Sequence, residues 1–283
     1  MKKLLEYLNS KQNSLDNITK LGTTFLKENY EEITEEKLNQ KLCFIDGGNA
    51  QILGGSGFSL QLIRVAKVFF ENQKFETQKK EYYVLFEQNN KDVKITFEQG
   101  QTKTLKLKTS EDQLETIITS FRRHLELKEI QEDYINIYDG VFEPKNELEK
   151  KLFKQKNTKI IGISKTSNLT TDNGIPLTYF LKKQAPSKKW LYQINSNLLI
   201  ACFGGEFSFR IDHNLKQKNI INQLLKTTKD SVFLGYPYGL VLADENARVS
   251  NEEVERLRST ISKQQLELEN SINFHKILDT SKF

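Results

Sequence analysis

The 283-residue sequence is poor in the residues on which several protein classes depend, with two cysteines, four prolines and three histidines. Cys43 and Cys202 are far apart and each lies inside an apolar run, which predicts buried, reduced thiols and no disulfide framework. The three histidines do not form a recognisable zinc-ligand spacing, either with one another or with the cysteines: they are His124, His213 and His275. The composition therefore excludes a disulfide-stapled scaffold, argues against a zinc site and favours an intracellular setting.

Long hydrophobic runs are also missing. No apolar stretch approaches the roughly 18 residues of a membrane span. Near the N-terminus Lys2 and Lys3 are followed by Glu6, Asn9 and Ser10, which interrupt any apolar segment. Lys and Arg total 42 against 37 Asp and Glu, a balance that permits a polyanionic partner without requiring one. We therefore expect a soluble cytoplasmic protein that does not engage a membrane.

Two aspartates each follow a short apolar run and precede a glycine. Asp46 is followed by Gly47, and Asp139 by Gly140. An apolar run bounded by glycine predicts a buried strand, and an acid at its C-terminal end lies where side chains of neighbouring strands converge on a ligand. One isolated Asp-Gly pair is often only a turn. Two of them after two strands indicate a metal site, whose oxygen ligands suit Mg²⁺ or Mn²⁺.

The segments between and after these acids predict a mixed α/β sheet flanked by helices. Three β-rich runs, 60–70, 82–86 and 93–97, predict an antiparallel meander. A capping box then precedes apolar residues at helical spacing, and they predict an amphipathic helix: Leu114, Ile117, Ile118, Phe121 and Leu125. The strand ending at Asp139 follows directly, and another apolar strand covers 160–165.

Two glutamates of this helix compete for a position next to the strand-end acids. On a helical wheel of about 100° per residue, Glu129 falls inside the apolar face and Glu126 lies at its edge. Glu126 also forms an i,i+4 pair with Arg122. The pattern leaves open which glutamate faces the sheet, and whether Glu126 only pairs with Arg122 on a solvated edge.

The element order is that of the ribonuclease H-like fold: an acid-tipped strand, hairpins, a helix with a carboxylate, and a second acid-tipped strand. In that fold acids from these elements hold divalent metals. Phosphodiester hydrolysis needs an activated water and a stabilised leaving oxygen, and two hard cations about 3.5–4 Å apart supply both. The sequence therefore favours phosphodiester chemistry at this site.

Four segments, in this order, resemble the sequence blocks of NurA-domain nucleases: 44–48, 137–140, 161–167, and 235–244 with 247–250 after it. The resemblance spans about residues 40 to 260. It implies a manganese-dependent deoxyribonuclease, with magnesium as an alternative, that acts as a single-strand endonuclease and a 5′-3′ exonuclease and works at duplex ends. It further implies a homodimer and a HerA-type hexameric ATPase partner in DNA end resection for recombinational repair.

Carried over by position, the resemblance makes Asp46, Glu126, Asp139 and Asp244 metal ligands and places Lys165 close to the scissile phosphate. Plainer interpretations stand beside two of these roles. Lys165 continues a strand and is compatible with an ordinary surface lysine, and Asp244 precedes a helix start and is compatible with a local structural role.

Residues 1–39 are polar, with apolar residues at helical spacing that include Ile18, Leu21 and Phe25. They predict an N-terminal helical arm in front of a nuclease domain at 40–283, which has a ribonuclease H-like core and peripheral insertions.

Four aromatic residues lie near lysine pairs around the predicted loop 166–187: Tyr179, Phe180, Trp190 and Tyr192. Aromatic side chains beside lysines bind unpaired bases by stacking and phosphates by charge. Aromatic residues also commonly fill a core beside solvated lysines, and the sequence favours that interpretation.

Two other functions compete with a nuclease. Asp-Gly-Gly after a strand is similar to the phosphate loop of actin-like sugar kinases, but those enzymes need two such domains, and this chain is short for both. A catalytically inactive, DNA-binding or ATPase-regulating subunit is the stronger rival. The presence of both Asp46 and Asp139 argues against it.

Overall fold

The computed structural model describes residues 16–35, 40–99, 101–108, 113–141, 144–152, 159–214, 219–229, 232–233 and 235–262. These ranges contain an eleven-stranded sheet: β1 Tyr30–Glu32, β2 Leu42–Gly55, β3 Phe58–Glu71, β4 Lys74–Asn89, β5 Asp92–Gln99, β6 Gln101–Lys108, β7 Ile135–Asp139, β8 Ile160–Ser164, β9 Lys189–Asn195, β10 Leu198–Phe203 and β11 Phe209–His213. The helices of the described ranges are α1 Leu114–Lys128, α2 Glu147–Leu152, α3 Leu177–Gln184, α4 Asn219–Leu224, α5 Tyr238–Ala247 and α6 Asn251–Ser262. None of them is long and apolar enough to cross a membrane.

The strand order is β1-β9-β10-β11-β8-β7-β2-β3-β4-β5-β6. β2 pairs with β7, and β7 with β8, in parallel, whereas β2 through β5 form an antiparallel meander. The central run β4-β3-β2-β7-β8, with α1 connecting the meander to β7, is the ribonuclease H-like arrangement predicted from the element order. The predicted strands 60–70, 82–86 and 93–97 lie inside β3, β4 and β5.

Tight turns fix the register of the meander. Asn72 and Gln73 join β3 to β4, and both have positive φ, 52° and 62°. Two central residues of positive φ give the turn that matches the right-handed twist of paired strands. Gly57, at φ 81°, closes the hairpin between β2 and β3. The register in which these strands pair is therefore set by the residues of the turns between them.

Alternating residues of β2 pack into two different cores. Phe44 belongs to a cluster that includes Leu240 of α5, whereas Cys43 and Ile45 belong to a cluster that includes Phe121 of α1. Side chains of a strand alternate between faces, so a strand covered on both faces is apolar throughout. The sheet is thus sandwiched between α1 and α5, and Asp46 comes directly after this doubly buried segment.

Both cysteines are buried free thiols, as the composition predicted. Burial raises the pKa of the Cys43 thiol to about 12.

The N-terminal segment differs from the predicted helical arm. Residues 16–35 contain two short 3₁₀ turns, and β1 adds to the edge of the sheet beside β9. Gly22 ends the first turn in the left-handed region, at φ 76°. Ile18 and the ring of Phe25 pack in the cluster under α3 and β9 instead of forming one face of a helix. Tertiary packing has overridden the helical spacing in this segment. Residues 1–15 and 36–39 lie outside the described residues, and the domain boundary at residue 40 stays a prediction.

Close packing of α5 on β2 yields a test of the fold. A Cβ at Gly239 would overlap the ring of Phe44. We expect Gly239→Val to lower the free energy of unfolding by about 1–3 kcal/mol, because overpacking a filled core forces side chains and backbone apart. Urea denaturation followed by circular dichroism measures the change. Glu245→Ala, at an exposed site on the same helix, is the control, and an equal effect of both substitutions would contradict the packing argument.

Candidate active site

Parallel pairing of β2 and β7 places the two predicted aspartates side by side. Ile45 lies opposite Tyr138, so Asp46 and Asp139 are the next residues of their strands. On the other side of β7, Asp139 lies opposite Ile163 of β8. Asp46 is 9% exposed. The strands β7 and β8 end here. β2, which the sequence predicted to end at Asp46, instead continues to Gly55, so Asp46 lies within its strand where the fully buried segment gives way to a more exposed one.

Lys165 follows β8 and reaches the same edge. Its Nζ lies 2.7 Å from Asp139 Oδ2, and the Lys165 side chain is 49% exposed. Its ammonium lies 4.9 Å from the centroid of the Tyr236 ring. Lys165 is therefore placed at the mouth of the acid cluster, with one face open to solvent.

Glu126 of α1 packs against β2 at Gly47, next to Asp46. It is 1% exposed, and a Cβ added to Gly47 would collide with its carboxylate. The absence of a side chain at Gly47 is what allows helix and strand to approach here. Arg122 of the same helix donates from Nη1 to the Gly47 carbonyl oxygen at 2.7 Å, and its Nε lies 3.4 Å from Glu126 Oε1.

Glu129 occupies a separate environment. Its carboxylate contacts Lys67 at 3.0 Å and Lys80 at 2.6 Å, and accepts a hydrogen bond from the Tyr82 hydroxyl at 2.7 Å. Burial raises the pKa of Glu129, but these partners outweigh burial and leave it below its usual value. The structure therefore places Glu126, and not Glu129, beside the aspartates. It also buries Glu126 instead of leaving it on a solvated edge, while its partner Arg122 stays partly exposed.

Mutual proximity of the acids perturbs their ionisation. Burial, followed by the charges of Glu126 and Asp139, raises the pKa of Asp46 to about 8, although the Gly47 N–H and Arg122 act in the opposite direction. Burial likewise raises the pKa of Glu126, against the stabilising effect of Arg122. Buried carboxylates that repel one another favour a bound proton or cation.

Asp244 of α5 lies at the margin of the cluster. Its carboxylate accepts a hydrogen bond from Arg248 Nη2 at 2.6 Å, a contact within one helical turn. Burial lowers the pKa of Lys165, but its hydrogen bond to Asp139 and the charges of Asp139, Asp244 and Asp46 outweigh burial and raise it. Asp244 is close enough to act on the site electrostatically while making its direct contact elsewhere.

Tyr236 is a residue of the site that sequence reasoning missed. It is 5% exposed, and burial, followed by the neighbouring Asp139 carboxylate, raises its pKa well above the usual value, so its hydroxyl stays protonated. Tyr236 lies in the block 235–244 that carried the family resemblance, but nothing in that block shows that this side chain is buried close to Asp139.

The donor set fits a hard divalent cation in its chemistry. Asp46, Glu126 and Asp139 offer carboxylate oxygens, the ligand type that Mg²⁺ and Mn²⁺ prefer. Glu126 Oε1 is buried and has no hydrogen-bond partner among the described residues. The carboxylates of these residues do not converge closely enough to form a metal site as they stand. No group of three possible ligands in the described ranges has the spacing of one.

A cavity of about 580 Å³ opens beside the acids. It lies between Gly47 and Gly48 of β2, Arg122 of α1, and the segment from Asp244 of α5 to the start of α6. A Cβ at Gly48 would collide with the carbonyl oxygen of Ala247, so α5 and β2 are in backbone contact at its floor. The cavity therefore opens next to the acid cluster, with Asp244 and Arg122 in its lining.

No protein-family model and no curated protein matches the sequence. Solved structures do match. The NurA nuclease from Sulfolobus solfataricus aligns with a TM-score of 0.57 and 15% identity, over 94% of this chain and 93% of that one. A structure of NurA with manganese aligns with a TM-score of 0.53 and 8% identity, over 94% and 97%.

The chain has the NurA fold. The likeness in fold agrees with the family resemblance of the sequence blocks, and it extends beyond residues 40–260 to nearly the whole chain. In this NurA fold Asp46, Glu126 and Asp139 lie together with Lys165, while Asp244 lies at their margin. Their roles in binding or chemistry stay predictions.

Of the four aromatic residues that lie near lysine pairs in the sequence, three fill the core, which is the interpretation that the sequence favoured. Phe180, Trp190 and Tyr192 are 5%, 1% and 0% exposed, whereas Tyr179 is 38% exposed. The core interpretation therefore holds for these three. Only Tyr179 is available to a ligand.

The raised pKa of Asp46 predicts how stability depends on pH in the absence of metal. Because the folded-state pKa lies near 8, above that of an unfolded aspartate, the stability contributed by protonation is present at low pH and is lost as the pH rises through about 8. Asp46→Asn removes this loss. We expect the variant to gain stability relative to the unsubstituted protein between about pH 5 and about pH 9, measured by urea denaturation with a chelator.

Asp92→Asn, at an exposed position of the β4–β5 hairpin, is the matched control and should show no such pH-dependent gain. An Asp46→Asn difference that does not vary with pH would contradict the electrostatic description of the cluster.

Proposed function

We propose that this protein is a divalent-metal-dependent nuclease that cleaves DNA. The observation that carries the proposal is the placement of Asp46, Glu126 and Asp139 together at one edge of the sheet, within the NurA fold. One of the solved NurA structures contains manganese, which supports Mn²⁺ as the ion, with Mg²⁺ as the alternative.

In this proposal Asp46, Glu126 and Asp139 hold the metal, with Asp244 as a further ligand. A divalent ion at such a site activates a water nucleophile and stabilises charge on phosphate oxygens. Lys165 presents its ammonium at the open side of the cluster, where it can pair with a phosphate oxygen of the substrate.

Arg122 positions Glu126, and Tyr236 lies close to Asp139. The Tyr236 hydroxyl, which stays protonated, makes no hydrogen bond with any described residue. Arg122 links α1 to the Gly47 carbonyl and thereby holds Glu126 over the end of the buried segment of β2. A rigid supporting set of this kind is what keeps ligands in a productive arrangement.

The family resemblance supplies the finer features of the proposal. These features are endonucleolytic cleavage of single strands, 5′-3′ exonucleolytic cleavage that also starts at duplex ends, and assembly as a homodimer. The proposed partner is a HerA-type hexameric ATPase, in end resection for recombinational repair. These features rest on the sequence blocks, since no individual residue of the site encodes polarity or partner.

Cleavage of 5′-labelled and 3′-labelled single-stranded DNA tests the proposal. With Mn²⁺ we expect products that disappear with chelator, and the label pattern reports polarity. Asp46→Asn, Glu126→Gln and Asp139→Asn should each lower the rate at least about 100-fold, because a metal ion contributes several kcal/mol of transition-state stabilisation.

Glu129→Gln is the matched control on the same helix. It removes a buried carboxylate whose partners are Lys67 and Lys80, so it should keep metal-dependent cleavage at the temperature where it is folded. A Glu129→Gln protein as inactive as Glu126→Gln would contradict the assignment of Glu126.

Cleavage by Asp46→Asn at the unsubstituted rate would overturn the proposed mechanism. If the unsubstituted chain alone fails to cleave, the assay is repeated with a HerA-type ATPase. Activity that then appears supports the partnership, and continued inactivity with retained DNA binding identifies the catalytically inactive alternative.

A further inference from the structure

A second cavity, of about 850 Å³, lies at the same edge of the sheet as the acids. β11 pairs antiparallel with β8 and β10 with β11, so the end of β10 at Phe203 lies on the side where β8 ends at Ser164. The start of β9 at Lys189 lies opposite Phe203. The lining of this cavity, called here the lysine groove, includes Lys182, Lys188, Lys189 and Lys229 together with Gly204 and Gly205.

The lysine groove connects to the acid cluster through two neighbouring residues. Gly235 lines the groove, and Tyr236, the next residue, lies beside Asp139. Gly235 has a φ of 91°, and a Cβ there would lie 3.2 Å from the Gly205 nitrogen. Backbone contact between 235 and 205 therefore joins the floor of the groove to the site.

The charge of the groove is positive. Its four lysines face two carboxylates, those of Glu35 and Glu206. Lys229 pairs with Glu35 at 2.9 Å, and Lys182 donates to the carbonyl oxygen of Glu206. Lys188 and Lys189 are exposed and make no ion pair with any residue that the structure describes. Two lysine charges are thus available to an anionic ligand.

Two exposed aromatic side chains lie near the groove in the chain without lining it: Phe207 directly follows the lining residue Glu206, and Tyr179 precedes the lining residue Lys182 by one helical turn. Phe207, in the loop after β10, is 55% exposed, and Tyr179 of α3 is 38% exposed. The Ser208 hydroxyl donates to the Thr178 carbonyl oxygen at 2.9 Å, so loop and helix are held together. The Lys183 ammonium lies 5.1 Å from the centroid of the Tyr179 ring. Two stacking surfaces are therefore held beside the groove.

We propose that the lysine groove binds single-stranded DNA and leads it to or from the acid cluster. Lys188 and Lys189 contact phosphates, while Phe207 and Tyr179 stack on unpaired bases. A basic groove with flat aromatic rings beside it is the combination that holds single strands without sequence preference, and stacking of this kind requires bases that are not paired. The inference rests on the proposed nuclease function, because the groove is proposed to guide DNA to or from the site where that DNA is cleaved.

Fluorescence anisotropy of a labelled oligothymidylate of about 16 nucleotides tests the inference. The measurement uses the full chain with chelator, so that binding is followed without cleavage. We expect Lys188→Ala/Lys189→Ala to weaken binding about ten-fold at low salt and to reduce the slope of log affinity against log salt by about 1.4, since each phosphate contact on a single strand contributes about 0.7.

Phe207→Ala separates stacking from charge. It should weaken binding about five-fold or more while leaving the salt slope unchanged, because it removes a stacking surface and no cation. The matched control for the lysine variant is Lys74→Ala/Lys159→Ala. It removes the same charge at the opposite edge of the sheet, where β4 and β8 begin, and it should bind as the unsubstituted protein does.

Unchanged affinity of the groove variants, or an equal loss in the Lys74/Lys159 control, would overturn the inference. Tighter binding of a duplex of the same length than of the single strand would overturn it as well. These outcomes are independent of cleavage by the unsubstituted protein with Mn²⁺, so failure of the groove and failure of the nuclease proposal are distinguishable.

Discussion

The burial of carboxylates against one another is the constraint on which the site depends. Asp46 and Glu126 are almost completely removed from water, and Asp139 is close enough to raise the pKa of both. Burying an ionised group costs several kcal/mol unless a partner compensates. The fold compensates this cost incompletely: Arg122 and the backbone N–H of Gly47 act on Asp46, and Arg122, the Tyr138 hydroxyl and Arg123 act on Glu126. A cluster of this kind favours a bound proton or cation, which is the basis of the proposed metal site.

A second buried ion pair holds the helix that carries Glu126. Arg123 pairs with Glu149 of α2, and its Nε donates to the Tyr138 hydroxyl at 3.2 Å. The Tyr138 hydroxyl in turn is hydrogen-bonded to Glu126. This chain of contacts links α2, α1 and β7, so the position of one carboxylate is set by three elements. It explains why a polar network is retained in an otherwise apolar layer.

Two cavities open at the same sheet edge, one on each side of the acids. The smaller is bounded by α1, α5 and the start of α6, and the larger by lysines from α3, β9 and the segment after α4. A DNA strand that ran from one cavity to the other would cross the acid cluster beside Lys165. In the proposed function, the antiparallel strands β9 to β11, which do not hold the acids, extend the edge along which the DNA would lie.

The sequence by itself determined the elements that are specified locally. Apolar runs followed by an acid and a glycine located β2 and β7, and turn residues located the meander. Apolar residues at i, i+3 and i+4 located α1. Strands and helices each have a characteristic residue period, so such patterns can be recognised within one segment. Only the tertiary structure decided between Glu126 and Glu129, since the rotation of a helix about its axis depends on what packs against it. Within residues 16–35 it also replaced the expected helix with turns and an edge strand. It brought Tyr236, the exposed Phe207 and four lysines to one edge. Those neighbours are distant in sequence, so sheet pairing, and not local periodicity, sets their proximity.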